Sequence, residues 1–127
     1  MEKNVKISIM LDIYGKMLTE KQYSLLDDYY NNDLSLSEIA ENENITRQAV
    51  RDNLKKGENN LFEYEEKLGF MKKTIEQEEK VEKILSEISK IEENISDEKT
   101  TKVLENVKNK LNSLVYGGKD GVWWLSI

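Results

Sequence analysis

Apolar residues recur along most of this chain at spacings of three and four, the period of a helix that buries one face. Residues 4 to 18 carry Ile9, Met10, Ile13, Tyr14, Met17 and Leu18, a set that predicts one broad inward face. In the following run, LTEKQY, Thr19 and Gln22 match a capping box, and Leu18 and Tyr23 can form the hydrophobic staple around it. A second helix is expected to start there, with Tyr23, Leu26 and either Tyr29 or Tyr30 inward, and to end at the polar residues 31–33.

The most organised stretch is SLSEIAENENITRQAVRDNLKK, residues 35–56. Ser35 and Glu38 form another capping box, stapled by Leu34 and Ile39, and Ile39 and Ala40 would face the core. Asn44 tolerates the left-handed backbone that a sharp turn needs. Thr46 then caps the next helix, with Ile45 and Val50 as its staple and Ala49, Val50 and Leu54 as its buried stripe. That leaves Arg47, Gln48, Arg51, Asp52, Lys55 and Lys56 pointing outward. The pattern is a helix-turn-helix, whose second helix can present side chains to a groove. Gly57 is a candidate stop, yet helical spacing resumes through Leu61, Phe62 and Leu68. Either one long helix weakened at Gly57 or two nearly collinear helices would satisfy it.

From residue 71 onward, Val81, Ile84, Ile88, Ile91 and Ile95 alternate spacings of three and four, as in a helix packed lengthwise on another. Ser96 is the expected cap of a following helix, with Asp97 and Glu98 in its first turn and Val103, Leu104, Val107, Leu111 and Leu114 as its apolar set. These two helices read as an antiparallel hairpin, packed on the rest of the chain or on a second copy, so a homodimer through the isoleucine stripe is expected. The ending YGGKDGVWWLSI is odd: glycines loosen it, while Trp123, Trp124, Leu125 and Ile127 resist solvation. It is either a segment that docks in a groove or a foreign appendage. The expected organisation is all-α: a helix-turn-helix domain over 1–70, a helical hairpin over 71–116 and a Gly/Trp tail over 117–127.

Composition narrows the chemistry. The 127 residues contain no Cys, His or Pro, which removes disulfides, thiol and imidazole catalysis and zinc fingers, and suits uninterrupted helices. No apolar run approaches the ~20 residues of a membrane span. The opening residues carry no cleavage pattern of a signal peptide, so a cytoplasmic location without membrane insertion is expected.

Net charge is −6, unevenly placed. Residues 1–45 sum to −5 and residues 58–98 to −7, whereas residues 46–57 sum to +3 through Arg47, Arg51, Lys55 and Lys56 against Asp52. The dense basic stretch coincides with the outward side of the presumed recognition helix. A major-groove reader would use Arg47, Gln48, Arg51 and Asn53 near base edges or phosphates, with Lys55 and Lys56 on the backbone. The bland alternative is a solvated face of a scaffold used for protein contacts.

Adjacent acidic pairs such as Glu65–Glu66, Glu78–Glu79 and Glu92–Glu93 diverge by roughly 100° on a helix and cannot share a proton. No phosphate-cradling glycine loop is present, since Gly118–Lys119 is followed by Asp120. No enzyme, metal site or cofactor is expected.

LTEKQ, LSLSEIAE, ITRQAVRDNLKK and YEEKL at 64–68 together resemble the YlxM family of bacterial helix-turn-helix proteins, themselves similar to region 4 of the primary sigma factors. The resemblance covers about residues 18–70 and implies an all-helical, winged-helix-like DNA-binding form. It further implies an association with the signal recognition particle, through its GTPase or its RNA, and a regulatory role in that pathway. Direct, sequence-specific DNA binding by a transcriptional regulator is the alternative.

Overall fold

The computed structural model describes residues 1–116, and all of its regular elements are helical. In order they are α1 (Lys3–Tyr14), a 3-10 turn (Gly15–Met17), α2 (Glu20–Tyr30), α3 (Leu36–Glu43), α4 (Arg47–Leu68), α5 (Phe70–Glu92) and α6 (Glu98–Tyr116). The chain divides into two compact units, Met1–Met71 and the remainder from Lys72. The tail over 117–127, with the docking segment or appendage expected there, lies outside the described residues.

In the first unit, α1, α2 and α3 each pack on α4. Leu25 and Leu26 of α2, Ile39 of α3, and Val50 and Leu61 of α4 are fully buried, with Ala40 and Leu54 nearly so. The expected stripe of α4 is thus borne out at Val50 and Leu54, and Ala49 is half-buried.

The expectation for α1 needs correction. Its inward face is Ile7, Met10, Leu11 and Tyr14, while Ile9 and Ile13 are half-buried and Met17 is exposed. The helix is apolar on nearly every side, so periodicity could not choose between its faces. In α2 the buried residues are Leu25 and Leu26, not Tyr23, which is exposed. Tyr29 is exposed as well and meets Tyr30 edge to face at 5.0 Å. Tyr30 is half-buried, and its hydroxyl donates to Glu58. A phenol with a polar tip takes the rim, and leucine the floor.

Helix α4 runs unbroken through Gly57. The glycine is a contact, not a stop: a Cβ there would stand 2.8 Å from Leu26 Cδ1. The stop comes at Gly69, which has φ +65° and donates its N–H to the Glu65 carbonyl at 2.8 Å. A residue without Cβ adopts that left-handed cap at little cost.

In the second unit each expected row is packed only in part. On α5, Val81 and Ile88 are buried but Ile84 and Ile91 are exposed. On α6, Leu104, Lys108 and Leu111 are half-buried and Val115 is buried, whereas Val103, Val107 and Leu114 are exposed. Asp97, not Ser96, caps α6. Its carboxylate accepts from the backbone N–H groups of Lys99 (3.3 Å) and Thr100 (3.2 Å) and from the Thr100 hydroxyl (2.5 Å). Those bonds hold its pKa below the usual 3.8. Lys108 of α6 pairs with Glu92 at the end of α5 at 2.8 Å.

Candidate nucleic-acid interface

Both ends of α3 and the start of α4 are fixed by local chemistry. Ser35 Oγ accepts from the Glu38 N–H, and Glu38 Oε1 accepts from the Ser35 N–H, both at 3.1 Å. At the other end of α3, Asn44 has φ 56° and ψ 44°, and the Ile45 N–H returns to the Ala40 carbonyl at 3.0 Å. Thr46 Oγ1 then accepts from the Ala49 N–H at 3.0 Å, starting α4. Three sequence expectations, the Ser35 box, the left-handed Asn44 and the Thr46 cap, are met here.

The result is a concavity of ≈ 600 Å³ lined by Leu36 and Ser37 from the start of α3 and by Thr46, Arg47, Gln48 and Arg51 from the start of α4. Two helix N-termini therefore open into one hollow together with two guanidinium groups. The partial positive charge of each terminus and the two full charges add in the same sense, toward an anion. Four of its six lining residues lie within the stretch of net +3.

The six residues singled out from sequence separate. Arg47, Gln48 and Arg51 share the hollow and are exposed. Gln48 donates its side-chain N–H to Asp52 Oδ1 at 2.9 Å, which ties the amide to its own helix. Asn53 is half-buried and turned back, its Nδ2 donating to the Ala49 carbonyl at 2.9 Å. Lys55 and Lys56 are exposed one turn or more beyond the hollow, outside its lining. What sequence reasoning missed is the share taken by Leu36 and Ser37. The Ser35 box already marked them as first-turn residues with outward N–H groups, so a signal existed.

Among the described residues, no group of three or more Asp or Glu side chains is placed to hold a metal ion. No helix there is long and apolar enough to cross a membrane.

Comparison with known proteins agrees with this architecture. The family model for UPF0122, the YlxM / p13-like helix-turn-helix proteins, matches residues 1–101. A UPF0122 protein of Acetivibrio thermocellus is 40% identical over 115 residues, covering 91% of this chain and 98% of the relative. One from Clostridium kluyveri is 44% identical over 109 residues (86% and 95%), and one from Fusobacterium nucleatum is 41% identical over 109 (84% and 97%). With its capped helix pair and this breadth of match, the chain belongs to the UPF0122 family of YlxM / p13-like helix-turn-helix proteins.

Proposed function

We propose that this protein is a non-enzymatic regulator that grips the phosphate backbone of a nucleic acid in the hollow between α3 and α4. The observation that carries this reading is the convergence of Arg47 and Arg51 with two helix N-termini on a protein of net charge −6. Guanidinium forks match phosphate oxygens geometrically, and peptide N–H groups at a helix start complete the cradle. With the Gln48 and Asn53 amides engaged by their own helix, backbone contacts outweigh base contacts.

The resemblance to the YlxM family directs the proposal to the signal recognition particle, with its RNA as the nucleic acid and its GTPase as the regulated partner. The test is GTP turnover by the reconstituted particle, with and without its RNA, as this protein is added. The reading expects an RNA-dependent change that Arg47→Ala/Arg51→Ala abolishes. An unchanged turnover in both arms would remove the particle as the partner. A second reading, a transcriptional regulator on DNA, is favoured by the exposed Arg47 and Arg51 at the start of a helix set up as a major-groove reader. It expects protection of one duplex sequence over a scrambled one at equal salt.

A further inference from the structure

A second hollow, of ≈ 290 Å³, lies between the start of α1 and the end of α2. It is lined by Asn4, Tyr29, Tyr30, Asp33 and Leu34, none of them a cation. The two rings meet edge to face at 5.0 Å, and the Tyr30 hydroxyl donates to Glu58, which fixes the half-buried ring. Tyr29 and Asp33 are exposed. Asp33 has φ 54°, a left-handed backbone that Asp adopts more readily than most residues. Its carboxylate has no ion-pair or hydrogen-bond partner among the described residues.

The charge of this hollow is opposite to that of the first. The two helix ends contribute opposite partial charges of about half a unit each and largely cancel, so the full charge of Asp33 decides the sign. No basic residue stands in the last turn of α2, and Lys3, beside Asn4 in sequence, is engaged by Glu58 at 3.7 Å. A carboxylate next to aromatic faces attracts a cation and repels a phosphate. Arginine fits best. Its planar guanidinium can lie on a ring and fork onto a carboxylate, whereas a lysine ammonium acts as a point charge. The volume falls just below the ~300–1,000 Å³ of sites that enclose whole small molecules, a size suited to one side chain. Both arginines of this chain, Arg47 and Arg51, line the other hollow, so the guanidinium must come from another molecule. Residues 1–45 sum to −5, a field that favours a basic segment around that arginine.

We propose that this hollow receives an arginine side chain from a basic segment of a partner protein, with the guanidinium on the Asp33 carboxylate and against the Tyr29 ring. The inference is independent of the nucleic-acid reading, since it uses no residue of that other hollow.

The probe is labelled hexa-arginine, followed by fluorescence anisotropy on the full chain at about 0.15 M salt, with hexa-lysine as the control of equal charge. Hexa-arginine should bind several-fold more tightly than hexa-lysine. Asp33→Asn should weaken it about tenfold and Tyr29→Ala about two- to fivefold. Glu43→Gln, which removes one charge from the same half of the chain, should change it less than about twofold. Circular dichroism should show equal helicity in all three variants, because each replaced residue is exposed. Three results would each overturn the proposal. One is equal affinity for the two peptides, which would leave only a diffuse acidic surface. Another is an Asp33→Asn variant that binds hexa-arginine no more weakly than Glu43→Gln does. The third is a loss of nucleic-acid binding in Tyr29→Ala with hexa-arginine binding unchanged, which would make a stacked base the occupant.

Discussion

The Tyr14 hydroxyl donates to Glu65 Oε1 at 2.6 Å, and the pair together caps the first turn of α5. The same carboxylate oxygen accepts from the Met71 N–H at 2.9 Å, and the Tyr14 oxygen accepts from the Phe70 N–H at 3.1 Å. One side chain from α1 and one from α4 thus satisfy donors that the start of a helix cannot satisfy itself. Tyr14→Phe keeps the ring, which lies 6.0 Å from Tyr64 and 6.3 Å from Phe70, and removes only the oxygen. We expect a loss of about 1–3 kcal/mol, since a part-buried donor and a charged acceptor each lose a partner. Urea unfolding of the two proteins measures it.

Burial and the bond to Glu65 push the Tyr14 pKa from 10.0 up to about 12. The sign follows from linkage. A group that holds its proton more tightly when folded contributes stability that is complete below pH 10 and is lost as pH rises from there through about 12. In that window the wild type should lose stability faster than Tyr14→Phe, so the two unfolding curves converge. Parallel curves would show that the phenol does not ionise against the fold.

At the acid side, burial raises the pKa of Glu58 above 4.5, against an opposing pull from Lys3 at 3.7 Å. Burial, aided by the Asp27 charge, likewise raises that of Asp12 above 3.8. Both contributions are largest when the carboxyl is protonated and are lost as pH climbs through the raised values. Glu58→Gln should flatten the decline in stability as pH rises from 4.5, visible in melting temperature against pH. A decline of unchanged steepness would assign it to other groups.

Gly57→Ala sets two known effects against each other. Helix propensity favours alanine by about 1 kcal/mol. Yet the new methyl would stand 2.8 Å from Leu26 Cδ1, on a side chain with no exposed surface. Overpacking of this kind costs about 1–3 kcal/mol, so net destabilisation is expected. A more stable variant in urea would mean that Leu26 yields freely.

Much of this fold is legible in sequence wherever the cause is local. The boxes at Thr19 and Ser35, the cap at Thr46 and the left-handed Asn44 each depend on residues no more than three or four apart, and each forms as read. What fails is the choice of face. Tyr23 and Met17 resemble core residues by spacing alone, but which apolar side of α1 or α2 meets α4 depends on a partner far along the chain. The exposed Ile84 and Ile91 show the same ambiguity in α5. Gly57 looks like a break because propensity is local, whereas its role is a close approach to Leu26, a contact 31 positions away. The basic residues of the hollow were readable from charge density. The Ser35 box marks Leu36 and Ser37 only as first-turn residues; that they line the hollow arises when α3 is turned against α4.

The claim that the hollow between α3 and α4 is a phosphate cradle is tested most directly by the salt dependence of nucleic-acid affinity. Each phosphate neutralised on a duplex contributes about 0.9 to the slope of log affinity against log salt, and about 0.7 on a single strand. Replacing Arg47 and Arg51 together with alanine should therefore reduce the slope by about 1.4 to 1.8 and weaken binding to all sequences alike. A slope unchanged by the double substitution, with binding retained, would contradict the account.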